Sequence, residues 1–181
     1  MKYLLLIASV AMLSACANPF NRITSGRYVE ECRSAETAGD LLAAEILCYR
    51  ALVNVDRENV GHVSMSKRLY KLGRIKRQLA KYFEAEGLMK ESLELEEKLS
   101  GASDEETGLR LAELSVILAA QDKWGEGIPL VERLVLLADS YSGRERSFVS
   151  EILQQYSSHA RLLGKTDLAT EFESKARALA Q

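Results

Sequence analysis

Amphipathic stretches follow one another along this chain at a fixed spacing. Four of them open after a short turn: Gly39-Asp40-Leu41-Leu42-Ala43-Ala44, Ala80-Lys81-Tyr82-Phe83-Glu84-Ala85, Asp122-Lys123-Trp124-Gly125-Glu126-Gly127 and Gly164-Lys165-Thr166-Asp167-Leu168-Ala169. The small residue closing each segment falls at 44, 85, 127 and 169, in steps of 41, 42 and 42. Seven residues further on stand Ala51, Ser92, Leu134 and Ala176, mostly small again. Upstream of each turn lies a second amphipathic stretch, clearest in Leu69-Tyr70-Lys71-Leu72-Gly73-Arg74. Its counterparts are Tyr28, Glu31 and Cys32, then Leu111, Leu114 and Ser115, then Leu153, Tyr156 and Ser157. A two-helix unit of this length cannot bury its apolar face alone, so stacked neighbours must form the core.

Helix punctuation follows the same division. Ser100-Gly101 predicts a helix stop, and Ser103-Asp104-Glu105-Glu106 carries the Ser-x-x-Glu capping pattern. Ser142-Gly143 separates the third unit from the fourth. Gly127 and Pro129 intrude on the second helix of the third unit, which is expected to start late, near Ile128, or to kink. The pattern resembles the tetratricopeptide repeat, a pair of antiparallel helices with small residues where they touch. The family's usual period is 34 residues, and one of about 42 matches the longer variety of kinesin light chains. The resemblance implies an all-α, right-handed superhelical solenoid of antiparallel helix pairs over residues 25–181, with repeats at about 25–58, 66–99, 108–141 and 150–181. Glu31 departs from the pattern, standing where a Leu is usual. The alternatives are a HEAT-like helix pair or a plain helical bundle.

The first residues do not share the period. Lys2 precedes an unbroken apolar run from Leu4 to Leu13, of secretory length and too short to span a bilayer as a stable helix. Leu13-Ser14-Ala15-Cys16 resembles the lipobox of bacterial lipoproteins, whose cysteine is acylated and becomes the new N-terminus. The resemblance implies removal of residues 1–15, lipidation of Cys16 and, because Ala17 and Asn18 rather than Asp follow it, anchoring in the outer membrane facing the periplasm. Residues 16–24 then form the lipidated start and a tether, with Asn18-Pro19-Phe20-Asn21 in it.

Composition narrows the functional classes. Hydrophobic residues make up 47% of the chain, enough to exclude disorder. The 28 Leu and 21 Ala against 10 Val, with two Pro, favour helix over sheet. The 24 basic and 26 acidic residues give a net charge of −2, which argues against nucleic acid as a partner.

Candidate chemistry is sparse. Cys32 and Cys48 occupy positions that face each other across the helix pair in the tetratricopeptide family, so the resemblance implies a disulfide suited to the periplasm; the alternative is two idle buried thiols. His62 and His159 lie in different repeats without a metal-ligand partner at helical spacing, and both are expected on exposed helix surface. Gly164-Lys165-Thr166 has only the tail of a phosphate-loop pattern and is read as a turn. No cofactor, metal site or catalytic motif is expected, and the chain is not read as an enzyme. Glu94-Leu95-Glu96-Glu97 is read as a solvated face on a helix whose apolar stripe is Leu88, Leu95 and Leu99.

Charge concentrates in one place. Lys67, Arg68, Lys71, Arg74, Lys76, Arg77 and Lys81 include no acidic residue among them. The resemblance implies a concave face lined in the second repeat by Lys67, Tyr70, Lys71, Arg74, Arg77 and Gln78, and in the third by Leu109, Ala112, Glu113, Val116, Ala119 and Ala120. A basic wall beside a small, apolar floor suits a partner segment carrying carboxylates. The alternative is a helix whose charge offsets Glu84, Glu86 and Glu91 of the next helix. The expected function is a membrane-anchored protein-interaction scaffold or assembly factor, its partner an envelope assembly machine or cell-wall enzyme. Rival readings are a thiol-redox protein or enzyme using Cys32 and Cys48, a binder of anionic envelope surfaces, and a self-assembling homo-oligomer.

Overall fold

A computed structural model describes residues 19–54 and 57–181 of the chain. Its described residues form eight α-helices and no strand: α1 (Pro19–Thr37), α2 (Leu41–Val53), α3 (Arg57–Gln78), α4 (Tyr82–Ser100), α5 (Glu105–Ala119), α6 (Trp124–Leu137), α7 (Gly143–Leu162) and α8 (Thr166–Leu179). The chain falls into two compact units, residues 1–65 and 66–181, divided within α3. The apolar run Leu4–Leu13 and Cys16 lie outside the described residues, within which no helix is long and apolar enough to cross a membrane.

Each helix pair turns in one way. The first helix ends on a residue with left-handed backbone, at Gly39 (φ 79°), Ala80 (φ 57°), Asp122 (φ 58°) and Gly164 (φ 75°). The next residue's amide reaches back five positions to close the helix: Asp40 to Ala35, Lys81 to Lys76, Lys123 to Leu118 and Lys165 to Ala160. The left-handed residue's own amide reaches back three, so all four turns are Schellman motifs. Only the first continues into a side-chain cap, Asp40 Oδ1 accepting from the Ala43 amide at 3.0 Å.

The periodic small residues are where the helices meet. Ala44, Ala85 and Ala169 are fully buried, as are Ser92 and Ala176. At the far end of three pairs, the first residue of each repeat clasps the second helix. Ser25 Oγ donates to the Ala51 carbonyl (3.1 Å) and Ser150 Oγ to that of Ala176 (3.0 Å), and in the second pair Ser92 Oγ donates back to the Ser66 carbonyl (2.8 Å). The third repeat has Gly108 at that position. There the Tyr141 hydroxyl donates to the Glu105 carbonyl (2.9 Å) and fills the space a Gly108 Cβ would need, only 1.9 Å away.

In the second unit α4 packs on α5, α6 on α7, and α5 also touches α7. The larger core lies among α5 to α8, around Ile128, Val131, Leu153 and Phe172; a second lies between α4 and α5, around Met89, Leu111 and Leu118.

Four local expectations need correction. Residues 19–24, read as tether, already belong to α1. The cap of α5 is Asp104, which accepts from the Glu106 amide at 2.9 Å, not Ser103. Helix α6 starts at Trp124 rather than near Ile128. Gly125 and Pro129 both face solvent, where water can satisfy the carbonyl that proline leaves unbonded. Gly127 is a requirement there rather than an intrusion: a Cβ would lie 1.8 Å from the Tyr156 hydroxyl, which crosses α6 to donate to the Ser115 carbonyl at 2.8 Å.

Candidate interaction surface

Within the second unit, α3 brings Lys67, Tyr70, Lys71, Arg74 and Arg77 to one side, adjoining α5. The acidic α5 residue that meets them is Glu113, only 4% exposed although it stands amid small and apolar neighbours. Arg77 Nε donates to its Oε2 at 2.7 Å, and Arg74 Nε lies 3.2 Å from its Oε1 as an ion pair without hydrogen-bond alignment, so the two guanidinium groups share one carboxylate. Tyr70 is half-buried beside them, with the Arg110 guanidinium 4.9 Å and that of Arg74 5.7 Å from its ring centre. Burial, and then the charge of Glu113, push the Tyr70 phenol up to about 12. Lys67 is exposed; Lys71, Leu109 and Val116 are half-buried. Ala112 is fully buried and cannot line a face, because it belongs to the core beneath.

The basic helix is thus partly neutralised by acids of the helices that follow it. Lys76 pairs with Glu84 at 2.5 Å across the turn. Beyond the turn, Lys90, Lys123 and Gln121 converge on Glu86. Burial alone would raise the Glu86 carboxyl, but those three donors outweigh it and hold it at about 2.

Arg110 is the residue that the sequence left unnoticed. Fully buried, it gives Nε to the Ser66 and Ser92 hydroxyls (3.2 and 3.0 Å) and Nη1 to the Glu106 carbonyl and carboxylate (2.6 and 2.9 Å). Its Nη2 faces Glu96 Oε2 at 2.9 Å, an ion pair without hydrogen-bond alignment. Glu96 accepts from Ser66 at 2.7 Å and from Ser100 at 2.9 Å. Burial opposes ionisation of Glu96, yet these donors and the Arg110 charge leave its carboxyl below the usual range. The solvated face expected at Glu94–Glu97 therefore holds only in part. Glu94 is exposed and pairs with Lys98, whereas Glu96 sits in the buried stripe of α4 beside Ser92 and Leu93. Leu99, assigned to the apolar face, is 38% exposed. The signal for this cluster was a serine at 25, 66 and 150, on the same period as the small residues.

In the first unit the sulfurs of Cys32 and Cys48 lie at disulfide distance, with the Cα atoms 5.2 Å apart and both residues buried. His62 is exposed. His159 is not: it stacks on Trp124 with ring centres 3.4 Å apart, beside Tyr156, so the expectation of an exposed ring there is corrected. Among the described residues no group of three or more His, Cys, Asp or Glu is placed to hold a metal ion.

This arrangement of helix pairs matches known solved structures in fold. The chain is similar to BtubC (BKLC) from P. vanneervenii, with a TM-score of 0.73 and 18% identity, covering 88% of this chain and 64% of that one. The fold is tetratricopeptide-like. A putative kinesin light chain from Podosopora anserina, with nearly identical TPR-like repeats, has a TM-score of 0.67 and 16% identity over 97% of this chain and 82% of that one. MamA protein has a TM-score of 0.66 and 17% identity over 87% and 73%. At such identities the likeness is one of fold alone, and the chain spans less than two thirds of BtubC. No protein-family model matches the chain, and no curated protein does.

Proposed function

We propose that this chain is a lipid-anchored, tetratricopeptide-like scaffold that holds a protein partner in the bacterial periplasm. The observation that carries the reading is the α3–α5 surface of the second unit, where cationic side chains gather around a carboxylate that already serves as a ligand. Arg74 and Arg77 grip Glu113 there, and Lys67 and Lys71 stand on the same side of α3. An acidic partner segment would lie along Lys67 and Lys71, with Leu109 and Val116 offering apolar contact. Arg74 and Arg77 serve to hold α3 on α5 rather than to grip the partner. Secretion and acylation at Cys16 supply the address, and the anchor raises the scaffold's effective concentration at the outer membrane. The fold supports a binding role; the anchor rests on the lipobox resemblance.

The test is capture from cell envelopes by the native chain and by a Lys67→Glu, Lys71→Glu variant. Loss of the captured protein in the variant supports the reading, and capture unchanged by the double substitution rejects this surface. Neither substitution removes Arg74 or Arg77, the two residues that pair with Glu113. The buried positions of Cys32 and Cys48 suit a structural cross-link better than a thiol-redox centre, which needs an accessible sulfur.

A further inference from the structure

In each helix pair the second helix meets the first through small residues, Ala44 and Ala51 in α2, Ala85 and Ser92 in α4. The opposite side of that helix faces outward. In α4 its four positions are Phe83, Gly87, Lys90 and Glu94, and in α8 Asp167, Glu171, Ser174 and Ala178, all exposed. The matching positions of α6 are also exposed and include Glu132. In α2 they are Leu42, Ile46, Tyr49 and Val53, exposed by 63, 54, 55 and 53%. Spacings of 4, 3 and 4 put them on one stripe, about 16 Å long at the rise of an α-helix. Packing against α1 does not require it, since Ala44, Cys48 and Ala51 supply the buried side. A continuous apolar stripe of this kind marks a surface that something covers.

The place of this helix in the chain selects the occupant. The described part of α1 begins at Pro19, three residues after Cys16 in sequence, and three residues span at most about 10 Å. The Ser25–Ala51 bond sets the last turn of α2 beside the first described turns of α1, so the Val53 end of the stripe adjoins that part of the chain. We infer that the outward face of α2 lies in the boundary between headgroups and acyl chains of the membrane that anchors the chain. This rests on the proposed acylation of Cys16. The acyl chains give residence, and the stripe lays the first repeat flat on the surface. Tyr49 has the amphipathic ring suited to that boundary. Arg50, exposed and 5.8 Å from the Tyr28 ring, flanks the stripe at the depth of lipid phosphates.

The test uses the acylated full chain in vesicles of phosphatidylethanolamine and phosphatidylglycerol. The sole tryptophan is replaced by Trp124→Phe, and a probe is added at Ile46→Trp or, as reference, at Glu132→Trp, both exposed positions. Flotation with the vesicles, a blue-shifted emission at position 46 and several-fold stronger quenching there by lipids brominated near the headgroup are expected. A chain that floats while the probe at 46 stays solvent-like overturns the inference and leaves the anchor standing. Failure to float overturns both. A blue shift in lipid-free protein that grows with concentration assigns the stripe to a second copy. A probe shielded in whole envelopes but not in pure lipid assigns it to a protein partner. Either of these also overturns the inference.

Discussion

Gly127 and Tyr156 illustrate how much rests on single atoms. The Tyr156 hydroxyl crosses α6 only because no Cβ stands in its way, and its bond to Ser115 ties α7 to α5. Gly127→Ala forces the ring aside and should cost about 2–3 kcal/mol in urea unfolding, as overpacking of a dense core does. Arg110→Ala leaves Glu96 buried without its cation and should cost about 3–5 kcal/mol. The Glu86 carboxyl predicts a pH dependence. Its folded value of about 2 lies below the ordinary 4.5. It therefore stabilises above the ordinary value, and that stability is lost as pH falls from about 4.5 towards 2. Glu86→Gln should cost about 2 kcal/mol at pH 7 and nothing near pH 2, as unfolding curves across that range would show. Residues of this kind were the least legible in the sequence. The partner of Gly127 lies in another repeat, and nothing local distinguishes Glu113 or Glu96 from a solvated acid.

At the scale of elements the period was legible because identical turns and small crossings impose it. Where helices meet closely only small residues fit, and the spacing of such contacts is the length of the repeat. The facing of individual helices was harder to read. The buried stripe of α4 runs through Ala85, Met89, Ser92 and Glu96, so choosing only its leucines rotated the expected face. The turns themselves differ in quality. Ala80 adopts a left-handed backbone that glycine takes without cost in two sister turns. Ala80→Gly should raise stability by about 0.5–1 kcal/mol, the strain relieved outweighing the added freedom of the unfolded chain. In the first unit the Cys32–Cys48 link closes a loop of about 15 residues, so reduction should cost about 3 kcal/mol there. Unfolding with and without reductant measures this, and native mass spectrometry finding two free thiols would contradict it.

For the whole molecule, the tetratricopeptide-like fold was readable through the resemblance of its spacing and small residues to that family, whereas the interaction surface was readable only in outline. The basic residues of α3 stand out along the chain, but their neutralisation by Glu113 and Glu84 depends on contacts between helices. The surface we propose for a partner is narrower than charge counting implied, with Arg74, Arg77 and Lys76 held in ion pairs of the fold. The central claim, a scaffold that holds a protein on this face beside the membrane, is tested most directly by site-specific photo-cross-linking in intact envelopes. A cross-linker replacing Val116 should yield one discrete adduct, lost on Lys67→Glu, Lys71→Glu, while a cross-linker at Glu132 on the outward side of α6 yields none. No adduct from position 116, or the same adduct from both positions, would contradict the account.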